Sequence, residues 1–132
     1  MPRISIISPC FNEEENVEAC HAAVLALFAP GAPLSGYERE HIFADNCSQD
    51  GTVAILRRIA SVDQATKVIL NARNFGPFRS NFNALRYATG DAVLVFLPVD
   101  LQDPPEIIPE MVRHWEAGIE VVAGARTRAT PA

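Results

Sequence analysis

Two aspartates stand close together in the stretch Pro98-Val99-Asp100-Leu101-Gln102-Asp103-Pro104-Pro105-Glu106. A carboxylate at the end of a strand can ligate a hard divalent cation, and the cation can hold a diphosphate. Asp103 reads as a helix N-cap instead, with Pro104 at the first helical position and Glu106 three residues after the cap. With capping assigned to Asp103, Asp100 is read as the metal ligand; closing a turn is its alternative. Asp45, in Asp45-Asn46-Cys47-Ser48-Gln49-Asp50-Gly51-Thr52, can accept a hydrogen bond from a nucleobase N–H. The segment Ser8-Pro9-Cys10-Phe11-Asn12-Glu13 offers the aromatic face of Phe11 and the carboxylate of Glu13. Arg73 suits a phosphate. Base, ribose and metal-bridged diphosphate together describe a nucleoside-diphosphate ligand.

Each of these residues also has a structural reading. Phe11 can staple the first helix, Asp45 can cap its own turn as Ser48 and Asp50 do, and Arg73 can be a solvated charge. Taken singly, the two readings are evenly matched; their shared place in the fold favours the ligand. His21, His41 and His114 are scattered and are not read as ligands. Cys10 and Cys47 lie in the same turns without a partner histidine, so neither is read as a nucleophile.

The elements that must position these residues follow from periodicity. Ile4–Ser8, Glu40–Ala44, Val68–Leu70, Ala92–Leu97 and Glu120–Ala123 read as strands, the fourth as one buried on both faces. Between them lie four helical patterns. The first runs from about Glu13 to Phe28, capped by Asn12, with Val17, Cys20, Val24, Leu27 and Phe28 on one face. The second carries Val53, Leu56, Ile59 and Ala60. The third, about Phe78–Ala88, turns Phe78, Phe82, Leu85 and Ala88 to the core and is ended by Gly90. The fourth carries Ile107, Ile108, Met111, Val112 and Trp115 and is closed by Gly118. Pro30–Gly36 is a loop. This alternation predicts an α/β class, three layers with a mainly parallel sheet, and right-handed crossovers bring the polar turns to one edge. That edge is where open α/β sheets bind ligands.

Composition narrows the functions. The 132 residues, 48% hydrophobic and 20% charged, suffice for one globular domain with a real core. The net charge of −5, without a Lys/Arg cluster, argues against nucleic acid as a partner. Three cysteines without C-x-x-C spacing predict reduced thiols in a cytoplasmic compartment and no zinc site. No signal peptide is read at the start, and no apolar run approaches the roughly 20 residues that span a bilayer. The first turn lacks the G-x-G-x-x-G of dinucleotide folds, and no Walker P-loop occurs.

The motifs, in order, resemble glycosyltransferase family 2, in the branch of polyprenyl-phosphate sugar transferases. They are Ser8-Pro9-Cys10-Phe11-Asn12-Glu13-Glu14, Asp45 through Thr52, Arg73-Asn74-Phe75-Gly76, Ala88-Thr89-Gly90-Asp91 and Asp100 through Glu106. The last string is the specific one. The resemblance covers nearly the whole chain and implies the Rossmann-like nucleotide-binding half of a GT-A fold. It implies a nucleoside-diphosphate sugar of UDP or GDP type, Mg²⁺ or Mn²⁺ as Lewis acid, and inverting transfer to an acceptor such as a lipid phosphate. Carried over by motif, Pro9, Phe11 and Glu13 border the nucleoside, Asp45 meets the base and Asp100 binds the metal. Arg73 joins the nucleotide set from its own chemistry.

Four departures from the family pattern stand out. Pro98 replaces the first acid of an Asp-x-Asp pair, Asn46 replaces an acid, Cys47 replaces a glycine, and Pro77 replaces a polar residue. The family also continues further, into an acceptor half carrying the catalytic base and often membrane segments. The expectation is therefore a donor-binding domain over residues 1–125, a disordered end over 126–132, and a base beyond residue 132, with the whole protein at the inner face of a membrane. Two other readings compete. One is a non-catalytic nucleotide or nucleotide-sugar binding module. The other is a flavodoxin-like regulatory domain, which would want a later lysine than Lys67.

Overall fold

The computed structural model describes residues 1–95, 97–101 and 104–124. Four parallel strands form one sheet: β1 (Arg3–Cys10), β2 (Glu38–Asp45), β3 (Thr66–Leu70) and β4 (Ala92–Leu94). Their order is β3-β2-β1-β4. The helices are α1 (Val17–Leu27), α2 (Thr52–Val62), α3 (Pro77–Leu85) and α4 (Ile108–Glu116), the last preceded by a 3₁₀ turn at Pro105–Ile107. The α/β class and the parallel sheet are as the sequence predicts.

Alternation along β1 divides the core between the two faces of the sheet. Ile4, Ile6 and Cys10 join Phe43 with Val17, Cys20 and Val24 of α1, Leu56 of α2, and Ile108 and Val112 of α4. Ile7, Ile42 and Ala44 face the other way and meet Ala84 of α3. Two polar networks tie the layers, one around the buried Glu40 and one partly buried. Glu40 of β2 accepts from Ser5 Oγ (2.7 Å), Lys67 Nζ (2.6 Å), Thr89 N (2.8 Å) and Thr89 Oγ1 (2.7 Å). This fastens the turn before β4 onto the sheet. Gly90 is required there, because a Cβ would sit 2.7 Å from the Ser5 backbone nitrogen. On the opposite face, Asp63 at the end of α2 binds Arg39 and His21 at 2.8 and 2.7 Å.

Several sequence expectations are corrected. The first helix begins at Val17 rather than Glu13, because Asn12 adopts a left-handed φ of 51° and cannot cap it. β4 is three residues long and only half-buried, rather than a fully buried run to Leu97. Pairing does continue past it, since Leu97 N donates to Ile7 O at 2.8 Å. Pro104 is extended (ψ 133°), and Pro105 opens the helical turn. α3 ends at Leu85 and buries Ser80, Asn81 and Ala84, leaving Phe78 and Phe82 exposed. No fifth strand forms among the described residues. Gly118 (φ 104°) turns the chain, and residues 120–122 line a groove of about 500 Å³ beside β4 instead of pairing with it. The Asp103 cap and the 126–132 end lie outside the described residues.

Candidate functional site

The strand order reverses between β1 and β4. β1, β2 and β3 run outward in one direction, and the chain then returns to the far side of β1. Such a switch point leaves a crevice at the carboxyl ends of the strands, between turns that diverge to opposite sides. The turns after β1 and β4 flank that crevice, and the turns after β2 and β3 follow along the same edge.

The β1 and β2 turns are stitched together by side chains. Asn12 N donates to Ser48 Oγ (2.9 Å), and Gln49 N donates back to Asn12 Oδ1 (2.8 Å). Glu13 N donates to Thr52 Oγ1 (2.9 Å), Glu14 N to Asp50 Oδ2 (3.3 Å), and Gly51 N to Glu14 Oε2 (2.9 Å). These bonds satisfy backbone donors that precede α1 and α2, where no helical carbonyl can serve them. The two turns therefore form one polar frame rather than two independent loops.

Asp45 closes β2 directly beside Cys10 of β1. It is 1% exposed. Its carboxylate accepts from Ser48 N (3.0 Å) and Ser48 Oγ (2.5 Å), so it does cap its own turn. Cys10 Sγ donates to it at 3.8 Å. Burial, then the charge of Asp45 and that hydrogen bond, push the Cys10 thiol well above its usual range, which leaves it no nucleophile. Burial also raises the Cys20 thiol to about 11; a hydrogen bond with Ser8 opposes the rise and the charge of Asp100 adds to it. Asp100, in the turn after β4, therefore lies within electrostatic reach of Cys20 on α1.

The remaining residues are distributed as follows. Pro9 is buried within β1, opposite Ala44 of β2, and Phe11 is exposed just after the strand. Glu13 is half-buried, and its carboxylate accepts from Asn16 Nδ2 at 2.7 Å. Arg73 is exposed and rests on the Phe75 ring, 4.8 Å from its centroid. Asp100 is exposed. The structure brings Pro9, Phe11, Glu13 and Asp45 onto one frame, with Asp100 across the crevice and Arg73 in the turn after β3.

Sequence reasoning missed the stitching roles of Asn12, Ser48 and Thr52. It also missed a relay beneath the β2 and β3 turns. Asn71 Nδ2 donates to Asn46 Oδ1 (3.0 Å) and Ser80 Oγ (2.9 Å), and Asn83 Nδ2 reaches Asn71 Oδ1 at 3.4 Å. The signal available was Asn71 standing directly after a run of apolar strand residues. Asn46, one of the departures, is buried in this relay.

Among the described residues, no group of three His, Cys, Asp or Glu side chains forms a closed metal cage. An exposed single carboxylate fits a different arrangement. Mg²⁺ keeps several waters and is commonly held by one or two carboxylates together with substrate phosphates.

The fold, a four-stranded parallel sheet flanked by helices, is that of GT-A glycosyltransferase structures. Residues 5–131 match the family described as Glycosyl transferase family 2, and the chain belongs to that family. It is 36% identical over 125 residues to a prophage bactoprenol glucosyl transferase homolog of Escherichia coli (strain K12). That alignment takes in 95% of this chain and 39% of the relative, so the chain spans well under half of the curated relative's length. A mannosyltransferase of Pyrobaculum calidifontis, solved with GDP-Man and Mn²⁺, shares the fold (TM-score 0.69, 24% identity, 85% of this chain and 32% of that one). Glucosyl-3-phosphoglycerate synthase of Mycobacterium tuberculosis, solved with Mn²⁺, UDP and glucosyl-3-phosphoglycerate, gives a TM-score of 0.63 at 27% identity, over 86% and 39% of the two chains.

Proposed function

We propose that residues 1–125 form the donor-binding part of an inverting glycosyltransferase that moves a sugar from a UDP- or GDP-type nucleotide sugar to a polyprenyl phosphate. In this reading Asp45 accepts from the base, Pro9, Phe11 and Glu13 border the nucleoside, and Arg73 meets phosphate. Asp100 holds Mg²⁺ or Mn²⁺ against the diphosphate. The bound cation supplies charge neutralisation of the leaving diphosphate. No residue of this chain is assigned as the catalytic base.

One observation carries the reading. The described non-glycine residues with positive φ are Asn12 (51°), Cys47 (65°) and Leu101 (57°), one in each of the turns after β1, β2 and β4. Backbone held in this costly region tends to collect at binding sites. The lipid-phosphate acceptor is supported by the bactoprenol glucosyl transferase likeness, and the cation and nucleotide by the Mn²⁺ and UDP of the glucosyl-3-phosphoglycerate synthase structure.

Thermal shift with UDP, GDP and their sugars, with and without Mn²⁺, tests the proposal. Stabilisation by one nucleoside diphosphate, larger with Mn²⁺, is the expected result. No stabilisation by any of them would overturn it. A second reading, a non-catalytic binding module, is favoured by Pro98 at the first acid of the pair. Nucleotide binding by this chain without sugar turnover by the full-length protein would select it.

A further inference from the structure

The third helix carries two different faces. Its inward side is small and polar, with Ser80, Asn81 and Ala84 buried against the sheet. At 100° per residue, Phe78, Phe82 and Leu85 share the outward side with Arg79 and Arg86. Phe78 and Phe82 are 74% and 73% exposed. Phe75 and Tyr87, at either end of the helix, are exposed too.

The charge around this face is one-sided. From Gln64 to Gly90 the chain has no Asp or Glu, and Arg73, Arg79 and Arg86 lie in or beside the helix, although the whole chain has a net charge of −5. Among the described residues no carboxylate pairs with Arg73, Arg79 or Arg86. Aromatic rings with flanking arginines and no acids are the composition of a helix lying in a lipid–water interface. The rings enter the headgroup boundary, and the guanidinium groups stay at the phosphates. A second copy fits less well, because a two-fold contact would set the arginines of one face against the same arginines of the other.

We infer that α3 is a membrane-contact face that docks on an anionic lipid surface. Its amino end, Gly76-Pro77, opens from the turn that carries Arg73. Docking would thus bring lipid headgroups to the same edge of the sheet as the candidate site. The inference goes beyond the nucleotide reading and does not depend on it.

The test is flotation of the chain with vesicles of phosphatidylglycerol and phosphatidylcholine, against phosphatidylcholine alone, at low and high salt. Binding that needs the anionic lipid and weakens with salt is expected. Arg79→Gln with Arg86→Gln should lower the partition coefficient by about fivefold per arginine, and Phe82→Ser should lower it further. All three changes should leave the melting temperature and nucleotide binding as they were, since the residues are exposed and outside the site. No partition into anionic vesicles at low salt overturns the inference. So does equal partition by the arginine variant. Concentration-dependent dimerisation abolished by Phe82→Ser, without vesicle binding, would assign the face to a second copy instead.

Discussion

Replacing Asp45 by alanine separates its two roles. The carboxylate is 1% exposed and accepts from Ser48 N at 3.0 Å and Ser48 Oγ at 2.5 Å. Hydrogen bonds to charged groups contribute about 1.5–3 kcal/mol each. Both of these come from one residue, so the lower end applies, about 3 kcal/mol for the pair. For a domain of this size that corresponds to a drop of roughly 10 °C in melting temperature. If Asp45 also accepts from a nucleobase, the variant loses one more such bond on binding, about tenfold to a hundredfold in affinity. Calorimetric titration with the preferred nucleoside diphosphate, below the melting temperature of the variant, reads the second effect apart from the first. The affinity loss should be the same with and without Mn²⁺, because base contact does not pass through the cation. A lowered melting temperature with unchanged affinity would make Asp45 a turn residue only. A loss seen only with Mn²⁺ would move it to the diphosphate side.

Asp100→Ala should remove the Mn²⁺-dependent part of nucleotide binding and leave the melting temperature within a degree or two, since the side chain is exposed; titration with and without Mn²⁺, beside a melting curve, checks both. Pro98→Asp should raise Mn²⁺ affinity in the nucleotide-free state, where the wild type binds it weakly and mainly together with nucleotide; tight binding by the free wild type would contradict this. Stability should fall as pH drops from 7 towards 3. Burial, then the charges of His21 and Arg39, lower the fully buried His41 to about 3, so the unfolded chain takes up a proton below about 6.5 that the folded chain refuses. Burial would raise Glu40, but hydrogen bonds from Lys67, Ser5 and Thr89 outweigh it and hold the group at about 2, so its contribution, present above about 4.5, is lost on the way down to 2. A melting temperature flat between pH 6.5 and 5 would show that His41 titrates normally.

What the sequence made legible was the part written in short-range pattern. β-branched runs, helical spacing and polar turns gave the alternation and hence the edge. α3 shows where that logic stops. Periodicity picks the most apolar stripe, Phe78-Phe82-Leu85, and assumes that it faces inward. The helix is instead oriented by what Ser80 and its neighbours can bond, and Ser80 meets Asn71 of the β3 turn at 2.9 Å. That constraint pairs residues from separate elements, so it is invisible in a local window. Asn12 fails for the same reason: its type and its place before the helix suit a cap, but its partners are Ser48 and Gln49 on the neighbouring turn. The candidate residues were found through their types, whereas the frame that holds them depends on contacts more than thirty positions apart.

The strained positions explain why that frame is needed. A left-handed conformation costs a non-glycine residue roughly 1–2 kcal/mol, and asparagine bears it best because its side chain can bond locally. Asn12 is held by two bonds to the second turn. Cys47 has no such help from its type: a glycine would take φ 65° without strain, and the family resemblance places a glycine there. The turn is kept in shape instead by Asp45 and Ser48 on one side and the Asn46–Asn71 bond on the other. Strain and stitching are thus two aspects of one device. The bonds between turns hold the backbone where it would not rest by itself, so a nucleotide bound as proposed would meet turns already set. A ligand that finds them so placed loses less of its binding energy to ordering loops.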